Sequence, residues 1–168
     1  MKKIILSAIM LITLTFSTQA QEISQNALGL RIGDNDGFGG EISYQRKLSD
    51  NRLELDLGLR DGKYSNAMKI VGLYQWIWEI DNGFNWYAGV GGGLGSWSYN
   101  GPNNTAPDPK SGIFILAAGD IGVEYLFDFP LQLSLDFRPE LYFADSRNDF
   151  DNYHSFGPDI ALGLRFRF

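Results

Sequence analysis

Apolar residues in this chain recur at every second position, which is the period of a strand with two unlike faces. The pattern is clearest in the last stretch, Ser155 to Phe168, reading SFGPDIALGLRFRF. There Ile160, Leu162, Leu164, Phe166 and Phe168 alternate with Asp159, Ala161, Gly163, Arg165 and Arg167. Seven earlier segments repeat the theme. Strand 1 (Ala27–Gly33) sets Leu28, Leu30 and Ile32 against Arg31, and strand 2 (Gly39–Arg46) sets Ile42 and Tyr44 against Glu41, Ser43 and Gln45. Strand 3 (Arg52–Arg60) alternates Leu53, Leu55, Leu57 and Leu59 with Glu54, Asp56, Gly58 and Arg60. Strand 4 (Ala67–Ile80) is less regular, with Met68, Ile70, Gly72, Tyr74, Trp76 and Trp78 on the apolar face. Strand 5 (Phe84–Ser98) places Phe84, Trp86, Ala88, Val90 and Leu94 opposite Asn85, Tyr87 and four glycines, Gly89, Gly91, Gly93 and Gly95. Strands 6 (Gly112–Phe127) and 7 (Leu131–Phe143) oppose Ile, Val, Leu and Phe rows to Asp120 and Glu124, and to Gln132, Ser134, Asp136, Arg138 and Glu140. Pro139 falls on the apolar face of strand 7, where its missing N–H predicts a bulge.

Short turns, such as Asp81-Asn82-Gly83 with its Asn-Gly hairpin signature, alternate with longer connections. Three short turns at one end and four longer loops at the other predict an all-β, eight-stranded, up-and-down antiparallel transmembrane β-barrel. Strands of this length suffice for the ~9–11 residues that cross an outer membrane. Aromatic residues gather near the strand ends: Trp76, Trp78, Phe84, Trp86, Phe127, Phe166 and Phe168 at the short-turn end, and Tyr64, Trp97, Tyr99, Phe143 and Phe156 at the other. Two girdles of amphipathic rings suit the two membrane interfaces. The competing architecture is a soluble lipocalin-type barrel, with its apolar face turned inward. Alternation alone does not separate the two. The loop asymmetry, the girdles and the terminal Phe168 favour the membrane barrel.

Composition sharpens this reading. Mean hydropathy is −0.16, too polar for a bundle of membrane helices but compatible with strands that face lipid at alternate residues. The chain has no cysteine, which excludes disulfides and thiolate metal sites. At its amino end Lys2 and Lys3 precede an apolar run from Ile4 to Phe16 and a Thr18-Gln19-Ala20 cleavage site. This is the layout of an export signal over residues 1–20, with a mature barrel domain over 21–168. The formal net charge is −6, and loss of the two lysines takes it to −8. That balance disfavours nucleic acid as a partner.

The chain resembles the small eight-stranded outer-membrane proteins of the OmpX and OmpA-transmembrane-domain type. The resemblance rests most on Gly163-Leu164-Arg165-Phe166-Arg167-Phe168, similar to the Gly-x-x-apolar-x-aromatic signal read by the barrel-assembly machinery, with Gly163, Phe166 and Phe168 as its key positions. Phe84 to Gly91 adds a strand rich in small residues. The resemblance implies residence in a Gram-negative outer membrane among lipid and lipopolysaccharide, help from that machinery during biogenesis, and no fixed activity. A wall-binding domain after Phe168, as in OmpA itself, is not expected.

Several groups are candidates for chemistry. The polar faces together carry Arg31, Glu41, Glu54, Asp56, Arg60, Lys69, Glu79, Asp120, Glu124, Asp136, Arg138, Glu140, Asp159, Arg165 and Arg167. An eight-stranded barrel is just wide enough for side chains to fill it, so ions placed there must pair. The expectation is a structural plug of salt bridges without stable conductance; a gated ion path is the alternative. The Gly89–Gly95 run is not a nucleotide loop: its Gly-x-Gly-x-x-Gly register fails at Leu94 and no Lys-Ser/Thr follows. His154, beside Ser155 and near Asp149 and Asp151, is the one residue around which a lipid A-modifying activity would be built. Adjacent residues of an extended chain point apart, however, so no catalytic residue is assigned. Asp34, Asp36, Asp61, Asp108, Asp145, Asp149 and Asp151 make the longer loops acidic, but neither acidic segment completes a calcium loop. No cofactor or metal is therefore expected. The reading is a non-enzymatic structural or surface-interaction barrel, with the segments Tyr99–Ser111 and Ala144–Ser155 as its contact surface.

Overall fold

A computed structural model describes residues 24–33, 39–61, 65–99, 110–144 and 156–168. The expected export signal, the expected mature start at Gln21 and most of the longer connections lie outside these residues. Eight strands follow one another: β1 (Asn26–Gly33), β2 (Gly40–Leu48), β3 (Asn51–Asp61), β4 (Ser65–Asp81), β5 (Phe84–Tyr99), β6 (Lys110–Leu126), β7 (Leu131–Ala144) and β8 (Phe156–Arg167). Each pairs antiparallel with the next, and β8 returns to β1 to close the barrel. The closing seam runs from Ala27 opposite Arg167 to Gly33 opposite Ala161. Backbone bonds from Asn26 N–H to the Phe168 carbonyl (3.0 Å) and from Phe168 N–H to the Asn26 carbonyl (2.8 Å) extend it to the chain end. Closure leaves no edge strand unpaired along this seam. No helix among the described residues is long and apolar enough to cross a membrane.

The short turns have local causes. Asn82 and Gly83 both take positive φ (28° and 84°), as a two-residue hairpin loop twisted to match its strands requires. At Gly83 a Cβ would also stand 2.7 Å from the Leu126 carbonyl oxygen, so this position excludes side chains twice over. The β2–β3 hairpin turns through Ser49 (φ 56°) and Asp50.

The residues at Pro139 behave differently from expectation. No bulge forms there: β6 and β7 pair in one register on both sides, Ala118 opposite Glu140 and Ile121 opposite Phe137. Instead the β6–β7 ladder simply lacks its pairs at Gly119 and Asp120. On the other side Pro139 faces Pro158 of β8 directly, a site where neither needs to donate. The register shift within the wall lies elsewhere, between Glu79 and Asp81 of β4.

The two faces of the wall are inverted relative to a water-soluble barrel. Leu30 (53%), Leu94 (58%) and Ile115 (63%) are exposed on the outside, whereas Arg138 and Asp56 inside are wholly buried (0%). The strand 4 register expected from sequence holds, with Met68, Ile70, Tyr74, Trp76 and Trp78 outward. On the outer wall Trp78 stacks on Trp86 with centroids 4.3 Å apart, and Phe84, Tyr125, Phe127 and Phe129 form a chain of ring contacts along the short-turn end. Trp97 departs from the expected girdle. It is half-buried and packs inside the barrel against a cluster of Val71, Leu73, Phe114, Leu116 and Ala118, together with Ala67 and Tyr142. Its odd position on β5 puts it on the inner face with Tyr87 and Gly95. Tyr64 and the Tyr99 side chain lie outside the described residues.

Candidate functional site

The strand registers bring opposite charges together across the lumen. Arg31 on β1 sits opposite Glu41 on β2, and Arg138 on β7 opposite Asp159 on β8. Arg31 bridges three carboxylates. Its Nε (2.9 Å) and Nη2 (2.5 Å) both donate to Asp136 Oδ1, and its Nη1 donates to Glu41 Oε2 (3.0 Å) and Asp159 Oδ2 (2.6 Å). Arg138 donates to Asp56 Oδ2 (2.5 Å) and to the same Glu41 oxygen (3.1 Å). Lys69 reaches Glu41 Oε1 (2.9 Å) and both oxygens of Glu140 (3.0 and 3.1 Å), and the Tyr142 hydroxyl donates to Glu140 as well. Guanidinium forks suit such shared, planar contacts better than ammonium groups.

Nearer the short turns the network becomes mixed. Arg165 donates to Ser43 Oγ (2.8 Å), Ser134 Oγ (2.7 Å) and Glu54 Oε1 (2.5 Å). Glu54 also accepts from Ser43 (2.9 Å), Gln45 (2.9 Å) and Gln75 (2.7 Å), so both its oxygens are shared. Gln75 donates to Asp120 too. Glu124 takes Arg52 Nη1 (2.5 Å), Gln132 (2.8 Å) and Asn85 (3.2 Å). Gly163 leaves room for Arg165: a Cβ there would lie 3.0 Å from its guanidinium carbon.

Twelve of the expected interior ions therefore meet in one buried cluster: Arg31, Glu41, Glu54, Asp56, Lys69, Asp120, Glu124, Asp136, Arg138, Glu140, Asp159 and Arg165. Three others stand apart. Arg60 and Glu79 share the inward parity but lie at the ends of β3 and β4, beyond the closed section, and are exposed to solvent. Arg167 is half-buried at the rim, where its Nη2 donates to the carbonyls of Phe127 (2.5 Å) and Phe129 (3.1 Å) and ties down the β6–β7 turn. Arg52 joins the cluster without having been expected in it. It is buried, donates Nε to Gln75 Oε1 (2.6 Å), and lies 4.7 Å from the Tyr87 ring centroid. Its signal was available, since it precedes Glu54 by two residues on the same face. The inner apolar layer around Phe114 was also missed, because attention to charge passes over an inward Phe114 and Leu116.

Chemically the cluster holds more carboxylates than cations: five cations from five strands are shared among the carboxylates, and Ser, Gln, Asn and Tyr donors supply further hydrogen bonds. Such an arrangement fixes geometry, and its hydroxyl donors, Ser43 to Glu54 and Tyr142 to Glu140, are tied into the same network. No His, Cys, Asp and Glu group suited to a metal ion occurs among the described residues. His154, Ser155 and the acidic loop positions Asp34, Asp36, Asp108, Asp145, Asp149 and Asp151 lie outside them. Asp61 is exposed at the end of β3.

No protein-family model matches the chain, and neither does any curated protein sequence. Solved structures do match in fold. The Neisserial surface protein A (NspA) is similar at 13% identity with a TM-score of 0.61, covering 85% of this chain and 95% of that one. The N-terminal β-barrel domain of Pseudomonas aeruginosa OprF gives 15% identity and 0.61, covering 86% and 98%. Ail, the attachment invasion locus protein of Yersinia pestis, gives 13% identity and 0.55, covering 86% and 97%. All three are small eight-stranded outer-membrane β-barrels, and the present chain has their fold.

Proposed function

We propose that the protein is an integral outer-membrane β-barrel with a structural or surface-interaction role and no open pore. The observation that carries this is the inversion of the wall. A continuous outer surface of exposed Leu, Ile, Val and aromatic side chains encloses a lumen of buried ion pairs. Patches beyond a few hundred Å² of apolar surface are rare on soluble monomers, and here the whole circumference is apolar. In lipid the same surface is satisfied, and closure satisfies every strand edge. The fold neighbours support the location, two of them carrying surface or attachment in their names. Lipopolysaccharide and phospholipid are then the lateral partners. Gly163, Phe166 and Phe168 are proposed as the positions the barrel-assembly machinery reads. The long loops supply any contact surface.

Fractionation with gel electrophoresis tests this reading. The protein should appear in the outer membrane and migrate differently with and without boiling. In planar bilayers the purified barrel should show no reproducible unitary steps. A soluble periplasmic protein without a heat shift, or regular single-channel currents, would overturn the respective half of the proposal.

A further inference from the structure

The apolar belt is not of even height around the barrel. On β4 the outward residues stay apolar from Met68 to Ile80, broken only by Gly72. Twelve rises of about 3.4 Å, tilted by roughly 40°, give a belt of about 30 Å. On the neighbouring β3 the outward apolar residues are only Leu53, Leu55, Leu57 and Leu59, bounded by Asn51 at one end and the exposed Asp61 at the other. Six rises give about 20 Å along the strand, or roughly 15 Å along the membrane normal. The short sector continues onto β2, where the exposed Arg46 interrupts the outward row between Tyr44 and Leu48, and onto β1, whose outward face starts at Asn26. Tyr44 donates its hydroxyl to Asn26 Oδ1 (2.8 Å), which fixes a polar rim at that height. An outer-membrane belt is normally about 25 Å tall.

We infer that the β1–β3 sector holds the bilayer locally thinned from its short-turn side, with headgroups of that leaflet drawn toward Asn26, Arg46 and Asn51, while at the other edge Leu59 stays level with Met68 of β4. The partner is lipid, and the inference rests on the membrane reading above. A bilayer yields to such mismatch more readily than a barrel wall does, and Arg46 can snorkel to a phosphate. Tilting the rigid barrel does not remove the mismatch, because β3 standing fully upright still offers only about 20 Å.

The chain has no cysteine, so single labels are unique. Leu53→Cys and Leu59→Cys variants, each carrying a small fluorophore, are refolded into phosphatidylcholine vesicles containing quenchers at shallow or deep acyl positions. Labels at Met68→Cys and Ile80→Cys bracket the full belt, and one at Val90→Cys marks its middle. The expected result is that both β3 labels are quenched several-fold more by the shallow quencher than by the deep one, although they lie closer together than the hydrocarbon is thick. If either reads as deep as Val90→Cys, the thinned sector is wrong. Vesicle flotation of the same samples separates the failures, since protein that does not float removes the membrane reading itself. Should the β3 labels hinder folding, an Arg46→Leu/Asn51→Leu variant supplies a second readout. It should shift the acyl length giving most folded protein toward longer chains, and an unchanged optimum would also overturn the inference.

Discussion

Arg31→Met is the sharpest test of the claim that the lumen is a dry, paired interior. Arg31 is 1% exposed and makes ion pairs to Glu41 (3.0 Å), Asp136 (2.5 Å) and Asp159 (2.6 Å). Methionine keeps much of the volume but removes every donor. Glu41 retains Lys69 and Arg138, so its loss is partial. Asp136 loses both of the guanidinium bonds it accepts from Arg31, and Asp159 loses the bond to its Oδ2. Removing one partner of a buried pair costs about 3–5 kcal/mol, because the remaining charge is left uncompensated. The expected destabilisation is therefore about 3–5 kcal/mol, read as a lower urea midpoint of the heat-shifted band in vesicles. Adding Asp136→Asn to Arg31→Met should recover part of that loss, since the worst-stranded carboxylate is then neutral. A double-mutant cycle with Asp136→Asn measures the coupling directly. A loss below about 1 kcal/mol, the range of exposed pairs, together with no recovery in the double variant, would mean that water reaches these ions and that the lumen is not the rigid plug described.

Four further outcomes follow from particular contacts. Gly29→Val should destabilise by at least about 1–3 kcal/mol, the cost of overpacking, because a Cβ there would stand 2.6 Å from Arg165 Cα in the adjacent backbone. Gly40→Ala, with nothing within 4 Å, should be near neutral in the same urea titration. Trp78 and Trp86, stacked at 4.3 Å, should show a coupling of about 0.5–1.5 kcal/mol in a Trp→Leu double-mutant cycle, and zero coupling would remove the stack as a stabilising element. Arg167→Ala should lower the urea midpoint by the equivalent of about 1–3 kcal/mol through loss of its bonds to the Phe127 and Phe129 carbonyls, and should speed proteolysis at that turn; unchanged cleavage would count against the tether.

The eight strands and the order of their neighbours were legible because each carries a clean period of two and each short turn carries its own signature. The Asn82-Gly83 turn is the best case: two positive-φ residues pair Asp81 with Phe84, whereas the one-residue shift between Glu79 and Asp81, which sequence does not signal, is what then sets Lys69 opposite Gly95 and makes room for the Phe114 ring. What sequence read less well depends on position along a strand rather than on parity. Arg60 and Glu79 have the right parity for the lumen but too little wall around them. Arg167 is at the rim, where carbonyls of a turn compete for its donors. Trp97 has inward parity, yet its size and its place near a strand end suggest a girdle until the depth of β5 is known. Pro139 predicts a bulge only if the ladder must keep every pair; the structure omits two pairs and keeps the register.

Parity alone leaves the sign of the barrel undecided, since the same alternation folds with either face inward. The identity of the polar residues breaks that symmetry. A polar face turned to water needs no particular partners, and its charges are free to fall anywhere. A polar face turned inward must place cations within reach of carboxylates across strands far apart in sequence. Arg31 meets Asp136 and Asp159, Arg165 meets Glu54, and Arg138 meets Asp56, all through pairings between distant strands. Such coincidences have no reason to arise on a solvated surface, where ion pairs contribute little. They are required in a closed interior, where an unpaired ion costs several kcal/mol. The same argument explains why the lumen changes character toward the longer loops. Strands β4 to β6 there turn Val71, Leu73, Phe114 and Leu116 inward beside the Lys69–Glu140 pair, and these apolar side chains need no ionic partner.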